Sequence, residues 1–464
     1  MAQRMIPLVS VPVTGSGAQP AAPPIGEQRL PRYTSYPPAT EFAALDGELY
    51  ADWLGALPAA EPVSLYLHIP YCRQLCLFCG CFTRITSHYE AVREYLGLLL
   101  REIAQTRARL GRRLGAAHVH FGGGSPTILE PADFSRLMDA LHESFDIQPG
   151  AEIALEIDPR TIDASKCAAY ARGGVNRASL GVQDFSTRVQ QAVNRIQPYE
   201  LVATAVAQLR SAGIERINLD LMYGLPYQTV DSVLETARLA LELEPQRLAV
   251  FGYAHVPWMR KHQRVLDEMP LPGPAERSRM AEAMRRVFIW NGYKSIGIDH
   301  YACDDDELTR ALEAGSLRRN FQGYTADASG TLLAFGLSAI SALPAGYAQN
   351  TSSIHDYRKQ LAAGAPVVAR GLATTDDDRM RRDIIGALMC YYRVDLREAS
   401  RRHGRDEAFI PERTLLKTFE ERGLVTTQGD VVALTPEGRP HVRAVCAVFD
   451  QYLRLSQHRY SLVV

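Results

Sequence analysis

The stretch VSLYLHIPYCRQLCLFCGC, residues 63 to 81, joins a short apolar run to a loop with four of the chain's eight cysteines. The loop spacing, C-x3-C-x2-C-x-C, is open to three chemistries: a disulfide, a zinc site or an iron–sulfur cluster. Structural zinc usually takes two separated pairs of ligands, and the sequence offers no second pair at a convincing distance. An iron–sulfur cluster takes its thiolates from one tight loop. The loop therefore favours a cluster, and the run before it favours a β-strand.

Outward from this loop, runs rich in Val, Ile and Leu alternate with stretches of helical periodicity. The runs are VSLYLHIP, AHVHFGGGSP, EIALEIDP, ASLGVQDF, RINLDLMYGLP and RLAVFGYAHVP. This alternation predicts an α/β fold, a parallel part-barrel of about six βα units with right-handed crossovers. The runs end in polar or glycine residues, in chain order His68, Gly122 to Gly124, Glu156 with Asp158, Gln183 with Asp184, Asp220 and His255. In a βα barrel these strand ends form the active-site face.

The composition is that of an ordinary globular protein, with 46% hydrophobic and 22% charged residues. A formal net charge of −1 gives no indication of a nucleic-acid or anionic-membrane partner. No stretch approaches the ~18 apolar residues of a membrane span. We expect a cytoplasmic monomer whose scattered cysteines are reduced thiols.

Changes in residue composition and periodicity along the chain predict four segments. Residues 1–31 are rich in Gly, Pro and Ala and are expected to form a flexible tail. Residues 32–62, which begin with RYTSYPPATEF, are expected to form an extension over the active site, and residues 63–370 the catalytic domain. Residues 371–464 are expected to form a mostly helical domain, in which a helix and a β-hairpin resemble a winged helix. Acids are mixed with the bases there, so DNA binding is not expected.

The three-cysteine spacing directly after a first strand resembles the signature of the radical S-adenosylmethionine superfamily. HFGGGSP, residues 120 to 126, follows the second strand and resembles the glycine-rich loop of that superfamily. The resemblance implies that three thiolates hold a 4Fe–4S cluster and that S-adenosylmethionine chelates its unique iron. Electron transfer then splits the sulfonium and releases a 5′-deoxyadenosyl radical.

A larger set of motifs is similar to those of the oxygen-independent coproporphyrinogen III oxidases, from about residue 31 to the C-terminus. The motifs are SLYLHIPYCRQLCLFCGC, HFGGGSPT, EIDPR, GVQDF, VNRIQ, NLDLMYGLP, YAHVP, GIDHYA, RNFQGYT and RYTSYP. The resemblance implies oxidative decarboxylation of two propionates of coproporphyrinogen III to vinyl groups, which gives protoporphyrinogen IX in heme biosynthesis. It also implies an electron donor and an electron acceptor, both unidentified.

The resemblance assigns roles residue by residue. Three cysteines match the cluster ligands: Cys72, Cys76 and Cys79. Four residues match contacts to the cluster-bound S-adenosylmethionine: Tyr66, Gly123, Glu156 and Ile340. Seven match contacts to a second molecule of S-adenosylmethionine: Phe78, Gly124, Ser125, Gln183, Arg195, Asp220 and Ala254. Three residues are candidates for a direct part in turnover: Tyr66, His68 and Cys81.

Several alternatives stay open at this stage. Cys81 is equally compatible with a structural thiol, and His68 with a structural strand histidine. A heme chaperone of the same lineage, another porphyrin-related radical enzyme and a zinc-dependent regulator are rival functions. Four substrate propionates require cations, and the candidates Arg32, Arg318 and Arg319 cannot be assigned from sequence.

Overall fold

This computed structural model describes residues 28–453 and 460, so most of the predicted tail, 1–27, lies outside the described residues. The strands are β1 Ala43–Ala44, β2 Val63–Ile69, β3 Tyr71–Cys72, β4 Arg84–Ile85, β5 Gly115–Gly123, β6 Asp146–Ile157, β7 Arg177–Gln183, β8 Arg216–Tyr223, β9 Arg247–Gly252, β10 Lys294–Ile296, β11 His300–Ala302, β12 Arg318–Asn320, β13 Gly323–Thr325, β14 Leu332–Phe335, β15 Ile340–Leu343, β16 Gly346–Asn350, β17 Val368–Ala373, β18 Arg393–Asp395, β19 Val425–Gln428 and β20 Val431–Leu434. The helices are α1 Gly47–Gly55, α2 Tyr89–Leu110, α3 Pro131–Ser144, α4 Ala164–Arg172, α5 Thr187–Ala192, α6 Tyr199–Ser211, α7 Val230–Glu242, α8 Pro274–Trp290, α9 Glu307–Glu313, α10 Ile354–Ala362, α11 Asp376–Tyr391, α12 Leu396–Arg402, α13 Ile410–Glu420 and α14 Val442–Val448.

One sheet of 13 strands carries the fold, in the order β1-β17-β16-β15-β14-β2-β5-β6-β7-β8-β9-β11-β10. Its central strands, β14, β2 and β5 through β9, pair in parallel. The strands β2, β5, β6, β7, β8 and β9 are the six runs expected from the sequence. Antiparallel strands flank the parallel part on both sides, so the barrel stays open. The predicted α/β part-barrel is confirmed.

Side chains of the parallel strands alternate between an apolar outer face and a polar inner face. In β6, Ile153 and Leu155 are buried in the main core, whereas Glu152 and Glu156 line an inner cavity. The outer residues pack against the crossover helices, which supply the second layer of an α/β fold. The inner face is therefore free to carry chemistry at the carboxyl ends of the strands.

A second core lies in the C-terminal part of the chain, beginning with α11. Helix α13 is followed by the β19–β20 hairpin, and β18 pairs with β20, so the predicted helix and hairpin are present. The change of core follows β17, which crosses the expected boundary at residue 370. Tyr33 and Tyr36 of the N-terminal extension are buried in this second core, and β1 pairs with β17. The extension thus connects the two parts of the chain.

No helix within the described ranges is both long and apolar enough to cross a membrane.

A buried carboxylate on α2 holds the connection between β14 and β15. Glu102 accepts hydrogen bonds from the Gly336 amide and the Asn350 side-chain amide, both at 2.7 Å, and from the Tyr357 hydroxyl. Burial raises the pKa of Glu102 from its ordinary 4.5 to about 7, against the effect of these donors. The connection leads directly into Ile340, a predicted cofactor contact, so the hydrogen bonds of Glu102 help to position that residue.

Replacement of Glu102 by alanine should lower the free energy of unfolding by about 3 kcal/mol or more, because three buried donors lose their acceptor. The folded protein binds the Glu102 proton more tightly than the unfolded chain. Stability from this group is therefore full below about pH 4.5 and declines as the pH rises through about 7. Urea titrations at pH 6 and pH 8 should show that the free energy of unfolding changes less with pH in the variant than in the wild type. Glu94→Ala, an exposed site on the same helix, is the control; equal stability of the two variants would contradict this role.

Candidate active site

The cysteine loop leaves β2 at the carboxyl end of the parallel strands. Cys72 lies in β3, which pairs with β4 across the loop. Cys76 is buried, Cys72 and Cys79 are partly buried, Cys81 is exposed, and all are free thiols. The loop is therefore positioned by the first strand of the barrel, as the sequence predicted.

Two distant segments hold the backbone of the loop in place. Asn194, in the left-handed conformation (φ 54°), donates from its side-chain amide to the Leu75 carbonyl at 2.8 Å. Three side chains after β9 donate to successive loop carbonyls, each at 2.9 Å: Arg260 to Gly80, His262 to Cys79 and Gln263 to Phe78. The sequence indicated the first segment through VNRIQ, but it gave no signal for the second. These contacts fix a loop that has little regular structure of its own.

Two guanidinium groups lie against the sulfur of Cys76. Arg195 approaches it at 3.5 Å and Arg160 at 3.8 Å, and both arginines form ion pairs with Asp158. Burial opposes the ionisation of Asp158, but the two arginines lower its pKa overall. The Arg195 Nε has no hydrogen-bond partner among the described residues. Arg195 therefore contacts the thiol of Cys76, a candidate cluster ligand, and its Nε can still donate a hydrogen bond to another acceptor.

The thiols of Cys79 and Cys81 hydrogen-bond each other. This bond lowers the pKa of Cys79 to about 6 and raises the pKa of Cys81. Burial raises the pKa of Cys72 to about 12. Cys81 thus lies beside a candidate ligand, within reach of the site but outside the spacing of the three-cysteine motif.

The glycine-rich loop passes between the cysteine loop and the inner face of the barrel. Gly123 has φ +115°, and a Cβ there would lie 2.6 Å from the His68 ring. Gly124 donates to the Ile69 carbonyl at 2.8 Å. The Ser125 amide donates to Tyr71 at 2.9 Å, and its hydroxyl lies 3.1 Å from that of Thr127. The loop is thus packed too closely for side chains at its glycines.

Gly124→Ala should disrupt the site, because a Cβ at this position would lie 2.8 Å from the Pro70 carbonyl carbon and 2.9 Å from the Tyr71 oxygen. These are backbone atoms that cannot rotate away. We expect iron content after reconstitution and turnover to fall together, by roughly 10-fold or more if the loop is displaced by about 1 Å. Gly97→Ala, in the open interior of α2, is the control. Normal iron content in the Gly124 variant would contradict the close approach of the two loops.

Tyr66, His68 and Glu156 meet on the inner face beside the glycine loop. The Tyr66 hydroxyl donates to His68 Nδ1 at 3.0 Å, and His68 Nε2 donates to the Phe82 carbonyl at 3.1 Å. The carbonyl can only accept, which assigns the proton to Nε2. Burial lowers the pKa of His68, so the ring is neutral. Both of its nitrogens are engaged, and the geometry suits orientation of Tyr66 better than proton transfer.

Glu156 faces the cavity at the end of β6. It accepts from the Gly123 amide at 3.1 Å and lies 3.2 Å from His120 Nε2. Burial would raise the pKa of Glu156, but the contacts with His120 and Gly123 lower it overall. The carboxylate is ionised and 41% exposed, which leaves it available to a cationic group. His120 stacks on Tyr66 at 5.9 Å, a role that the sequence did not reveal.

Asp220 lies farther along the same inner face, within β8 and not at its end as the sequence indicated, because β8 continues to Tyr223. It accepts from Ser179 at 3.1 Å and from the Asn218 amide at 2.8 Å. Burial, with the charge of Glu156, raises the pKa of Asp220 to about 6. Both carboxylates line a cavity of about 500 Å³ that runs through the interior of the part-barrel. The cavity thus joins one residue of the first predicted set of cofactor contacts, Glu156, to one residue of the second, Asp220.

The other predicted cofactor contacts lie on several elements around the site. Gln183 ends β7 with φ 68°, and its side chain and that of Arg195 both lie close to Gly181. Phe78 packs against a small core that includes Tyr253, the neighbour of Ala254. Ile340 begins β15, next to β14 in the sheet. Ser125 is buried, and its hydrogen bonds are already used within the loop.

The donor set of the cysteine loop has the chemistry of an iron–sulfur site. Within residues 28–453 and 460, no three His, Cys, Asp or Glu side chains converge closely enough to hold one ion. An iron–sulfur cluster is held by cysteine thiolates. The loop supplies three such thiols, and two arginines place positive charge beside one of them. The residues present therefore fit a 4Fe–4S cluster.

Comparisons with known proteins show which family this chain resembles. A family model described as the radical SAM superfamily matches residues 66–240. The chain is 47% identical to the oxygen-independent coproporphyrinogen III oxidase of Bradyrhizobium diazoefficiens, over 95% of this chain and 98% of that protein. It is 41% identical to the enzyme of the same name from Paracoccus denitrificans, over 92% of this chain and 95% of that protein.

Among solved structures, coproporphyrinogen III oxidase HemN from Escherichia coli, a radical SAM enzyme, superposes with a TM-score of 0.86. The match has 37% sequence identity and covers 92% of this chain and all (100%) of that one. Members of the radical SAM superfamily use a 4Fe–4S cluster and S-adenosylmethionine, which agrees with the cysteine and glycine loops. The chain belongs to the oxygen-independent coproporphyrinogen III oxidases, a family of radical SAM enzymes.

Proposed function

We propose that this chain catalyses the reaction of its family, the anaerobic conversion of coproporphyrinogen III into protoporphyrinogen IX. Two propionate side chains become vinyl groups, and each loses a hydrogen atom, CO2 and one electron. The observation that most strongly supports this function is the 47% identity to a coproporphyrinogen III oxidase over 95% of the chain. A propionate β-carbon has no acidic proton, so side-chain acids and bases cannot activate it.

Cys72, Cys76 and Cys79 would hold the cluster at the carboxyl end of the barrel. With S-adenosylmethionine bound, the cluster supplies a 5′-deoxyadenosyl radical that can remove a hydrogen atom from such a carbon. The chain itself binds and orients the reactants and keeps water away from them. The redox balance requires an electron donor and an acceptor from outside the chain.

Two groups of residues would bind two molecules of S-adenosylmethionine. Glu156 and Gly123, with Tyr66 and Ile340, would hold the first molecule beside the cluster. The ionised, half-open carboxylate of Glu156 suits an ammonium group or ribose hydroxyls. Asp220 and Arg195 would hold the second, with Phe78, Gly124, Ser125, Gln183 and Ala254 around it. The donor left on Arg195 Nε supports a carboxylate contact.

Tyr66 would contact bound S-adenosylmethionine, with His68 as its positioning residue. Cys81 would act in turnover from its exposed position beside Cys79. The extension, 32–62, would cover the mouth of the site, because Arg32 donates to the Gly252 carbonyl at the end of β9 at 3.0 Å. Water exclusion of this kind protects reactive intermediates.

The test is anaerobic turnover by the reconstituted protein with S-adenosylmethionine, a reductant and coproporphyrinogen III. Chromatography and mass spectrometry should detect protoporphyrinogen IX, formed through an intermediate with one vinyl group. Cleavage of S-adenosylmethionine with all four propionates intact would retain the radical chemistry and reject the substrate. Heme binding without turnover would instead favour a heme chaperone.

A further inference from the structure

Three arginines from distant parts of the sequence approach one another beside the carboxyl end of β9. Arg32 comes from the N-terminal extension, Arg319 from β12 and Arg443 from α14 of the C-terminal domain. We call these three residues the arginine cluster. Electrostatic interactions join Arg443 to both of the others, and Arg32 to Arg319. The contacts of Arg32 and Arg319 lie on β9, β13 and the extension.

Defined contacts hold each of the first two guanidinium groups. Arg32 donates to the Gly252 carbonyl at 3.0 Å. Arg319 donates through Nε to the Tyr33 carbonyl at 3.3 Å, and it lies over the Tyr324 ring at 4.7 Å. Its Nη1 is buried and has no hydrogen-bond partner within the described part of the chain. A buried guanidinium nitrogen without an acceptor is costly unless a ligand supplies one.

The local charge is strongly positive. The carboxylate that acts on all three arginines is that of Asp299, which also lies 2.7 Å from His300 Nδ1. Burial, together with the charges of Arg32 and Arg319, lowers the pKa of Arg443 to about 9. Asp299 thus acts on three cations at once.

The cluster lies next to residues of the cavity that Glu156 and Asp220 also line. Three residues beside the arginine cluster line this cavity. Phe251 precedes Gly252, which accepts the hydrogen bond from Arg32. Asn320 follows Arg319 in the chain, and the Tyr324 ring lies under the Arg319 guanidinium. His300, which binds Asp299, lines it as well. Arg32 itself is exposed, and it donates to the Gly252 carbonyl, next to Phe251.

We propose that the arginine cluster binds propionate groups of the substrate. The inference rests on the proposed function, since it assigns the anionic partner to coproporphyrinogen III. Guanidinium groups pair with carboxylates through two parallel hydrogen bonds, so a rigid cluster would orient the macrocycle as well as attract it. The extension and the C-terminal domain thus complete a substrate site that the barrel alone lacks.

The test compares Arg319→Gln with Arg318→Gln. Arg318 precedes Arg319 in β12, but it is exposed and donates to the Ala328 carbonyl. Loss of a charge-assisted pair should raise KM for coproporphyrinogen III roughly 10-fold or more in Arg319→Gln, and Arg318→Gln should match wild type. Arg319→Lys should recover part of the loss because it keeps the charge.

Two readouts separate substrate binding from structural damage. KM for S-adenosylmethionine and its cleavage without substrate should stay near wild type in Arg319→Gln. Arg32→Gln provides a second variant in which the changed side chain is exposed. An unchanged KM for coproporphyrinogen III in both variants, or a rise only in KM for S-adenosylmethionine, would overturn the inference. Wild-type protein that forms no vinyl product would overturn the proposed function, and this inference with it.

Discussion

Cys76→Ser is expected to remove the brown iron chromophore and to reduce turnover below detection. Cys76 is the buried thiol of the three-cysteine motif, and the guanidinium groups of Arg160 and Arg195 lie against it. Serine is a poor ligand for iron. Loss of the Cys76 thiol would therefore leave two thiols for a cluster that needs three. Iron and sulfide analysis after anaerobic reconstitution, with the absorption spectrum, measures this directly.

Cys81→Ser is the matched control for that experiment. Cys81 lies in the same loop and hydrogen-bonds Cys79, but it falls outside the three-cysteine spacing. We expect this variant to keep its iron and its spectrum while losing turnover. If Cys81→Ser lost iron and Cys76→Ser kept it, the ligand assignment would be wrong.

Glu156→Gln is expected to weaken the binding of S-adenosylmethionine roughly 10- to 100-fold, because a charge-assisted hydrogen bond to a cation is lost. The amide keeps the shape of Glu156 and can still accept from the Gly123 amide. Iron content should therefore stay normal. Equilibrium dialysis with labelled S-adenosylmethionine, together with the rate of its reductive cleavage, measures the effect.

Asp220→Asn provides the comparison, because Asp220 would contact the second molecule only. We expect this variant to bind one S-adenosylmethionine per chain instead of two and to cleave it, while product formation fails. Equal loss of cleavage in the Glu156 and Asp220 variants would argue against two separate binding positions.

The parallel strands and the cysteine loop could be predicted because their signals are local. Apolar runs in alternation with helical periodicity mark β2 and β5 through β9, and three cysteines fall within eight residues of one another. The glycine loop after β5 has a similarly compact signature. These features depend on neighbouring residues, which a sequence displays directly.

Contacts between distant segments could not be predicted. Arg160 contacts the Cys76 sulfur across 84 positions, and Gln263 holds the Phe78 carbonyl across 185. His120 looks like any strand histidine until β6 places Glu156 beside it. The choice between Arg318 and Arg319 depends on which face of β12 points inward, and a three-residue strand is too short to reveal that.

The most direct test of the central claim follows a hydrogen atom from the substrate. Coproporphyrinogen III with deuterium on the propionate β-carbons would be incubated anaerobically with reconstituted protein, reductant and S-adenosylmethionine. We predict that deuterium appears in 5′-deoxyadenosine and that vinyl groups form in the product. Unlabelled 5′-deoxyadenosine, with four intact propionates on the macrocycle, would contradict the account.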